Sequence, residues 1–560
     1  MKIFLAQQNY HIGNIEANVH KIIEAINLAK SQQGDIILFS ELSVCGYAPK
    51  DFLYFNDFVL ACENAINTIA LHASGIAVIV GAPQRNPNIQ GKNLYNAAYF
   101  LADNKVQHII QKTCLPTYDV FDEDRYFEPA SSWSTVKYKG KILAITICED
   151  IWNLGNNPLY THCPMDILAK EKPDVMLNIS ASPFDYTHDE DRYAAIKANV
   201  LKYKIPMFYC ASVGSQTEIV FDGNSLVFDK HANLCGKLAS FEEDIQSFIL
   251  TDEGTITANI LQPAEQIPNS ELVPTALNPG LNIAQVYAAL VMGVKDYFAK
   301  MGFAKAIIGS SGGIDSAVTL AIACSALGAD NVTAILMPSP FSTHHSVADA
   351  EQLSQHLQNK YHVIPINNLY DSFLQSLQPL FTNLPFGIAE ENIQSRTRGN
   401  LLMAIANKFG YILLNTSNKS ELATGYGTLY GDMAGGLSVL GDCYKLQIVA
   451  LASYINRNGI IIPTHIITKP PSAELRAEQK DSDSLPPYEI LDKILYQYIE
   501  LQQDPTAIKL QGFETSLVDS VLKMVNNNEY KRNQFCPIIR VSPKAFGVGR
   551  RMPIVGKYLQ

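Results

Sequence analysis

The stretch G-S-S-G-G-I-D-S-A at residues 309–317 follows the apolar run Ala306-Ile307-Ile308 and precedes a segment of helical character. A glycine-rich turn between a buried strand and a helix presents backbone N–H groups and the helix's positive end to an anion, commonly a phosphate. Gly309, Gly312 and Gly313 supply the turn, and the hydroxyls of Ser311 and Ser316 add donors. No lysine follows as G-x-x-x-x-G-K-[ST] requires, and G-x-G-x-x-G does not fit, so neither familiar nucleotide loop is present. The loop carries an acid instead. Asp315 beside bound phosphates points to Mg²⁺, the ion that lets carboxylate and phosphate share a site. A tight turn whose Ser or Asp caps the next helix is the alternative reading.

Around the loop, elements of two kinds alternate. The helix-like segment 282–302 leads to the run 304–309, and the apolar runs 331–339, 361–366 and 411–417 are each separated by helix-length segments. That order predicts a doubly wound parallel sheet, Rossmann-like in plan. The first half also alternates. Short runs rich in β-branched residues recur at 2–7, 35–41, 76–83, 106–112, 141–150, 175–182 and 207–214, and residues 14–32 carry apolar side chains at helical spacing. An α/β layer fold is expected there as well. Between the halves, "QPAEQIPNSELVPTALNPG" (262–280) holds four prolines and few large apolar residues. The expected organisation is a domain over 1–262, a linker over 263–280 and a second domain over 281–560.

Composition narrows the partners. The chain has 560 residues, 47% hydrophobic and 17% charged, which is the make-up of an ordinary globular protein of two or more domains. A net charge of −11 argues against nucleic acid as a partner. No run reaches the roughly 18 apolar residues of a membrane span, and the N-terminal apolar run is too short for a signal peptide, so a cytoplasmic location is expected. The ten cysteines lack C-x-x-C pairing and read as buried reduced thiols.

One of those cysteines has company. Glu41 in "FSELSVCGY", Lys112 in "IIQKTCLPTYDVFDEDRYF" and Cys148 in "ITICEDIW" each sit at the end of an expected strand, where ligands of parallel sheets gather. A thiol beside a carboxylate base and an ammonium can attack an amide. Singly, each has an ordinary structural reading: a buried cysteine, a lysine snorkelling from a strand end, a capping glutamate. Together, in this order and with these neighbours, they resemble the Glu-Lys-Cys triad of the nitrilase superfamily, which implies an N-terminal αββα sandwich. The resemblance assigns Glu41 as general base, Lys112 as stabiliser of the tetrahedral intermediate, Cys148 as the thioester-forming nucleophile and Glu123 as accessory acid. Tyr47, Glu149, Ser180, Ser182 and Arg192 lie in or near strand-end loops where a glutamine head group would bind.

The string S-G-G-I-D-S in turn resembles the pyrophosphate loop of ATP pyrophosphatases. The whole chain is similar to the glutamine-dependent NAD synthetase family, with four further segments in order: "ENIQSRTRGN" (391–400), "LLNTSNKSELATGYGTLYGDMAGGL" (413–437), "KPPSAELRAEQKDSDSLPPYE" (469–489) and "AFGVGRRMPI" (545–554). The resemblance implies glutamine, ATP and deamido-NAD⁺ as substrates, Mg²⁺ as cofactor and a homo-oligomer. It places the loop residues and Thr416 and Lys445 at ATP, Asp315 and Glu421 at the metal, and Asn392, Arg396, Lys419, Glu421, Asp432 and Ser472 near the dinucleotide. Arg396 as a surface charge, Asp432 as a turn cap and Lys419 as a solvated helix-start residue are the structural alternatives. The chain departs from the family pattern at Asn14, where an aspartate is usual, and at Cys45, where a smaller residue is usual; neither touches the triad. Two rival amidotransferase types fit less well. One needs an N-terminal cysteine, whereas residue 2 is Lys2; the other sets its cysteine on G-x-C-x-G, whereas Cys148 lies in T-I-C-E-D. A non-catalytic nucleotide sensor would lack the triad or the loop acids, and all are present.

Overall fold

The structure, a computed structural model, describes residues 1–88, 90–155, 159–259, 277, 281–477 and 479–558. The chain divides into two compact units, Met1–Ile267 and Pro268–Gln560. The expected linker, 263–280, lies outside the described residues apart from Leu277.

The first unit is built on two sheets. One has seven strands, in the order Ile256–Asn259, Asp244–Leu250, Lys2–Gln7, Ile36–Phe39, Ala77–Arg85, Leu94–Ala102 and Lys105–Gln111. The other has six: Leu234–Lys237, Leu226–Phe228, Met207–Ala211, Val175–Ser180, Lys141–Ile147 and Val136–Tyr138. Side chains along a strand point alternately to opposite faces. Ile3, Leu5, Ile36 and Leu38 therefore join Ile145, Leu177 and Phe208 in a core between the sheets. Their neighbours Phe4, Ala6, Ile37 and Phe39 pack outward against Ile22 and Ile26 of the helix Ile15–Ser31 and Val59 and Ile66 of Asn56–Ala70. On the far side, Met176, Met207 and Phe228 meet Ile196 and Val200 of the helix His188–Tyr203. The result is an αββα sandwich. The inner strands, such as Ile36–Phe39, Val175–Ser180 and Met207–Ala211, are covered on both faces and read as mainly apolar runs rather than alternating ones.

The second unit holds a five-stranded, fully parallel sheet in the order Lys360–Val363, Val332–Leu336, Ala306–Gly309, Ile412–Asn415 and Leu437–Ser438. In chain order that is 3-2-1-4-5, the doubly wound plan expected from the sequence. The strand order reverses between Ala306–Gly309 and Ile412–Asn415, and the crevice for ligands in such sheets opens at that switch point. Helix Ile388–Phe409 covers one face through Leu402 and Ala406. Helices Ile283–Met301, Ile314–Leu327 and Lys445–Ile455 pack against one another. Among the described residues no helix is long and apolar enough to cross a membrane. All ten cysteines are free.

Candidate active sites

In the first unit, Glu41 lies just past the strand Ile36–Phe39, Lys112 follows Lys105–Gln111, and Cys148 opens a short 3₁₀ turn directly after Lys141–Ile147. The facing sheets thus deliver the thiol from one layer and the two charged groups from the other. The Lys112 ammonium, fully buried, donates to Glu41 Oε1 at 2.7 Å and to both oxygens of Glu123 at 2.8 Å. Tyr47 donates its hydroxyl to Glu123 Oε1 at 2.7 Å, and the Ala181 amide donates to Glu41 Oε2 at 3.0 Å. Cys148 has φ +42°, a left-handed conformation that a non-glycine residue adopts only when its surroundings impose it. Asp150 holds that elbow. Its carboxylate accepts from the Ile147 amide at 3.1 Å and from the Thr113 and Cys114 amides at 2.9 Å, tying the cysteine turn to the residues after Lys112.

The electrostatics follow from burial in company. Desolvation works against the Lys112 charge, but Glu123 and Glu41 outweigh it and hold the ammonium well above the ordinary lysine range. Burial and the Glu41 charge push the Cys148 thiol well up, with Lys112 and the Ser180 hydroxyl opposing, so the resting sulfur keeps its proton. Burial raises Glu123, against the pull of Lys112 and with the push of Glu41. Such a thiol needs a base at hand to become a nucleophile.

Of the residues expected around a glutamine head group, Glu149 accepts from Tyr118 at 2.9 Å and Tyr160 at 3.1 Å, and burial raises its carboxyl despite Lys112. Ser180 accepts from Tyr209 at 2.8 Å, and Ser182 pairs with His188 Nε2 at 2.6 Å. Arg192 is a correction. Its buried guanidinium is committed to Asp222 and Asp189 at 3.0 Å each and to the Gly223 carbonyl, an ion-pair cluster of the fold rather than an open binding group. The sequence reading missed Asn96, which donates to both Glu41 and Glu123 and lies in none of the quoted segments, and it gave no role to Asp150, although that residue stands inside the quoted "ITICEDIW".

In the second unit the quoted loop joins Ala306–Gly309 to the helix Ile314–Leu327 at the switch point. Gly312 has φ +78°, and a Cβ there would fall 2.2 Å from the Ser346 carbonyl oxygen, so the turn needs glycine on two grounds. The loop is stitched by its serines: the Gly313 amide donates to Ser311 Oγ at 3.2 Å, and Ser316 donates to the Gly313 carbonyl at 3.0 Å. Behind it opens a cavity of about 660 Å³. Gly309, Ser311, Gly313, Asp315, Ser316, Thr416, Glu421, Asp432, Lys445 and Ser472 all border it.

The charges at its wall are coupled. Lys445 donates to Asp315 Oδ2 at 2.6 Å and lies 3.9 Å from Glu421 Oε1, while Asn418 donates to Asp315 Oδ1 at 2.9 Å. Burial and the Asp315 charge push Glu421 well above the carboxylate range, with Lys445 opposing. Among the described residues no three of His, Cys, Asp and Glu converge to hold an ion by themselves. Asp315 and Glu421 offer two oxygen ligand groups, the number that suits a Mg²⁺ completed by water and substrate phosphates.

Gly312, Asn392, Arg396 and Lys419 are not among the cavity's bordering residues. Asn392 accepts from Thr428 at 2.8 Å, and Arg396 donates to the Leu429 carbonyl at 3.2 Å. Lys419 corrects both of its expected readings, substrate contact and solvated charge. Its buried ammonium is caged by Glu500 and Ser542 at 2.7 Å and by Asp442 and the Lys544 carbonyl at 2.9 Å. The sequence reading also missed Asn418, whose side chain caps the Glu421 amide at 2.8 Å while Glu421 reaches back to the Asn418 amide. N-x-x-E is a capping-box spacing that could have signalled it.

Comparison with known proteins agrees with this division. Residues 2–260 match the carbon-nitrogen hydrolase family and residues 286–535 the NAD synthase family. The glutamine-dependent NAD(+) synthetase of Synechocystis sp. is 42% identical over 561 residues, spanning 99% of this chain and 98% of that protein. The enzyme of the same name from Thermotoga maritima is 37% identical over 580 residues, spanning 100% and 99%. Among solved structures, the glutamine-dependent NAD+ synthetase from Acinetobacter baumannii in complex with ADP superposes with a TM-score of 0.77 at 35% identity, covering 99% of this chain and 98% of that one. With likeness of this degree from end to end, the chain belongs to the glutamine-dependent NAD(+) synthetase family.

Proposed function

We propose that the chain hydrolyses glutamine at the first site and uses the ammonia at the second to convert deamido-NAD⁺ into NAD⁺, with ATP giving AMP and pyrophosphate. The observation that carries the first half is one buried cluster holding a thiol, a carboxylate and an ammonium. Glu41 takes the Cys148 proton, and the sulfur attacks the amide carbon of glutamine. Lys112 steadies the oxyanion, and Glu41 returns the proton to the leaving nitrogen, so ammonia departs and a thioester remains. Water, deprotonated by Glu41, then releases glutamate. Glu123, clamped by Tyr47, holds Lys112 in place.

At the second site the nicotinate carboxylate attacks the α-phosphorus of ATP and pyrophosphate leaves; ammonia then attacks the adenylated carboxyl carbon and AMP leaves. The N–H groups of the loop with Ser311 and Ser316 cradle phosphate oxygens, and Lys445 adds a fixed positive charge. Asp315 and Glu421 would hold Mg²⁺, which when bound neutralises phosphate charge. Thr416 serves ATP, while Asp432 and Ser472, on the same cavity, serve the dinucleotide. The test is to supply deamido-NAD⁺, ATP and Mg²⁺ with either glutamine or ammonium and to measure NAD⁺, AMP and glutamate. NAD⁺ and AMP in equal amounts from both nitrogen sources, with glutamate from the first alone, are expected; AMP without NAD⁺ would overturn the reading.

A further inference from the structure

Glu41 and Glu123 share one ammonium, yet their oxygens are not equally filled. A carboxylate has about four lone-pair sites. Those of Glu123 are taken by Tyr47 and Lys112 on Oε1 and by Lys112 and Asn96 on Oε2. On Glu41, Lys112 and Asn96 fill Oε1, each at 2.7 Å, while Oε2 accepts only the Ala181 amide at 3.0 Å. Among the described residues one site therefore stays open on Glu41 Oε2 and none on Glu123.

Asn96 creates much of that asymmetry at a visible cost. It sits on the strand Leu94–Ala102, 1% exposed, and its carbonyl accepts the Lys112 amide at 2.8 Å, which sets the lysine beside it. Both protons of its side-chain nitrogen go to the carboxylates, and its Oδ1 is buried with no partner. The reverse orientation would put that oxygen 2.7 Å from Glu41 Oε1, acceptor against acceptor. The side chain thus leaves its carbonyl without a partner in exchange for donating to both carboxylates.

The geometry points to Asn96 as a positioning residue for the amidase step, which rests on the reading of Glu41, Lys112 and Cys148 given above. By occupying Oε1 with Lys112 it leaves Oε2 as the atom that receives the thiol proton, and its shorter contact, 2.7 Å to Glu41 against 3.3 Å to Glu123, ties it chiefly to this carboxylate. The charged and titratable groups facing Glu41 are Lys112, Glu123, Tyr47 and Cys148.

The test is the pH dependence of kcat/KM for glutamine hydrolysis in Asn96→Leu and Asn96→Asp, with ammonium-driven NAD⁺ formation as the measure of folding. Loss of a donor to the ionised base moves the acidic limb to higher pH by about one unit in Asn96→Leu, with most of the rate recovered on the alkaline side. Asn96→Asp, which adds a third acid, moves it further. A rate lowered equally at every pH, or a limb that stays in place, overturns the proposal. Should Asn96→Leu lose ammonium-driven synthesis too, Asn96→Asp decides, because it keeps the size and polarity of the site. Cys148→Ala separates the two claims: glutamine hydrolysis surviving in it would undo the amidase reading itself, whereas an unmoved limb in a Cys148-dependent reaction would undo only the role of Asn96.

Discussion

Each candidate site sets a lysine between two carboxylates, and the two trios differ in how far water reaches them. Around Lys112, the side chains of Glu41 and Glu123 are 0% and 5% exposed and lie within 2.8 Å of the ammonium. Around Lys445, Asp315 and Glu421 are 18% and 20% exposed, at 2.6 and 3.9 Å, on the wall of an open cavity. A dry, closely bonded trio with one open acceptor site, on Glu41 Oε2, fixes where a proton can go, because a buried charge that moves away from its partners meets a large desolvation cost. A wet, loosely closed trio can exchange its partners for an ion and phosphate oxygens. On the proposed reading, the same kinds of charge serve proton transfer in one unit and a highly charged ligand in the other.

The largest expected effect comes from the open trio. Asp315→Ala should lower NAD⁺ formation about 10³-fold with either nitrogen source, since the phosphate-bearing step is common to both; a defect confined to glutamine would break the comparison. In the closed trio, Lys112→Met should cost about 10²- to 10³-fold in glutamine hydrolysis and leave ammonium-driven synthesis near its normal rate. Steady-state assays with the two nitrogen sources distinguish these cases. Lys419→Met strands Asp442 and Glu500 in a buried cage, so thermal unfolding should show a loss of about 3 kcal/mol while kinetics at room temperature hold. A large change in KM for deamido-NAD⁺ in that variant would return Lys419 to the substrate. Smallest, Gly312→Ala pushes the loop off Ser346 and should raise KM for ATP about tenfold without altering glutamine hydrolysis.

The layered plan of both units was legible because buried strands announce themselves as short β-branched runs. The helix read over 14–32 is Ile15–Ser31 in the structure, and the run 2–7 is the strand Lys2–Gln7. The strand Leu94–Ala102 escaped notice, since "LYNAAYFLA" is rich in alanine and holds an asparagine, residues with little intrinsic preference for strands. Asn96 was lost with it. Glu41, Lys112 and Cys148 could be singled out because each follows a strand, where topology allows convergence, and because their order and neighbours resemble a known Glu-Lys-Cys triad. Lys419 could not be placed. A lysine opening a helix after a capping asparagine looks solvated, and its partner Ser542 lies 123 residues further on. Arg192 failed for the same reason: Asp222, thirty residues away, completes its ion pair only in the folded sandwich.

The central claim is that nitrogen release and ATP-driven capture occupy separate, separable sites. Purified Cys148→Ala, given deamido-NAD⁺, ATP and Mg²⁺, should form NAD⁺ from ammonium at close to the unmodified rate and form essentially none from glutamine. Equal loss with both nitrogen sources in a folded variant would contradict it, as would glutamine-driven NAD⁺ formation that survives without the thiol.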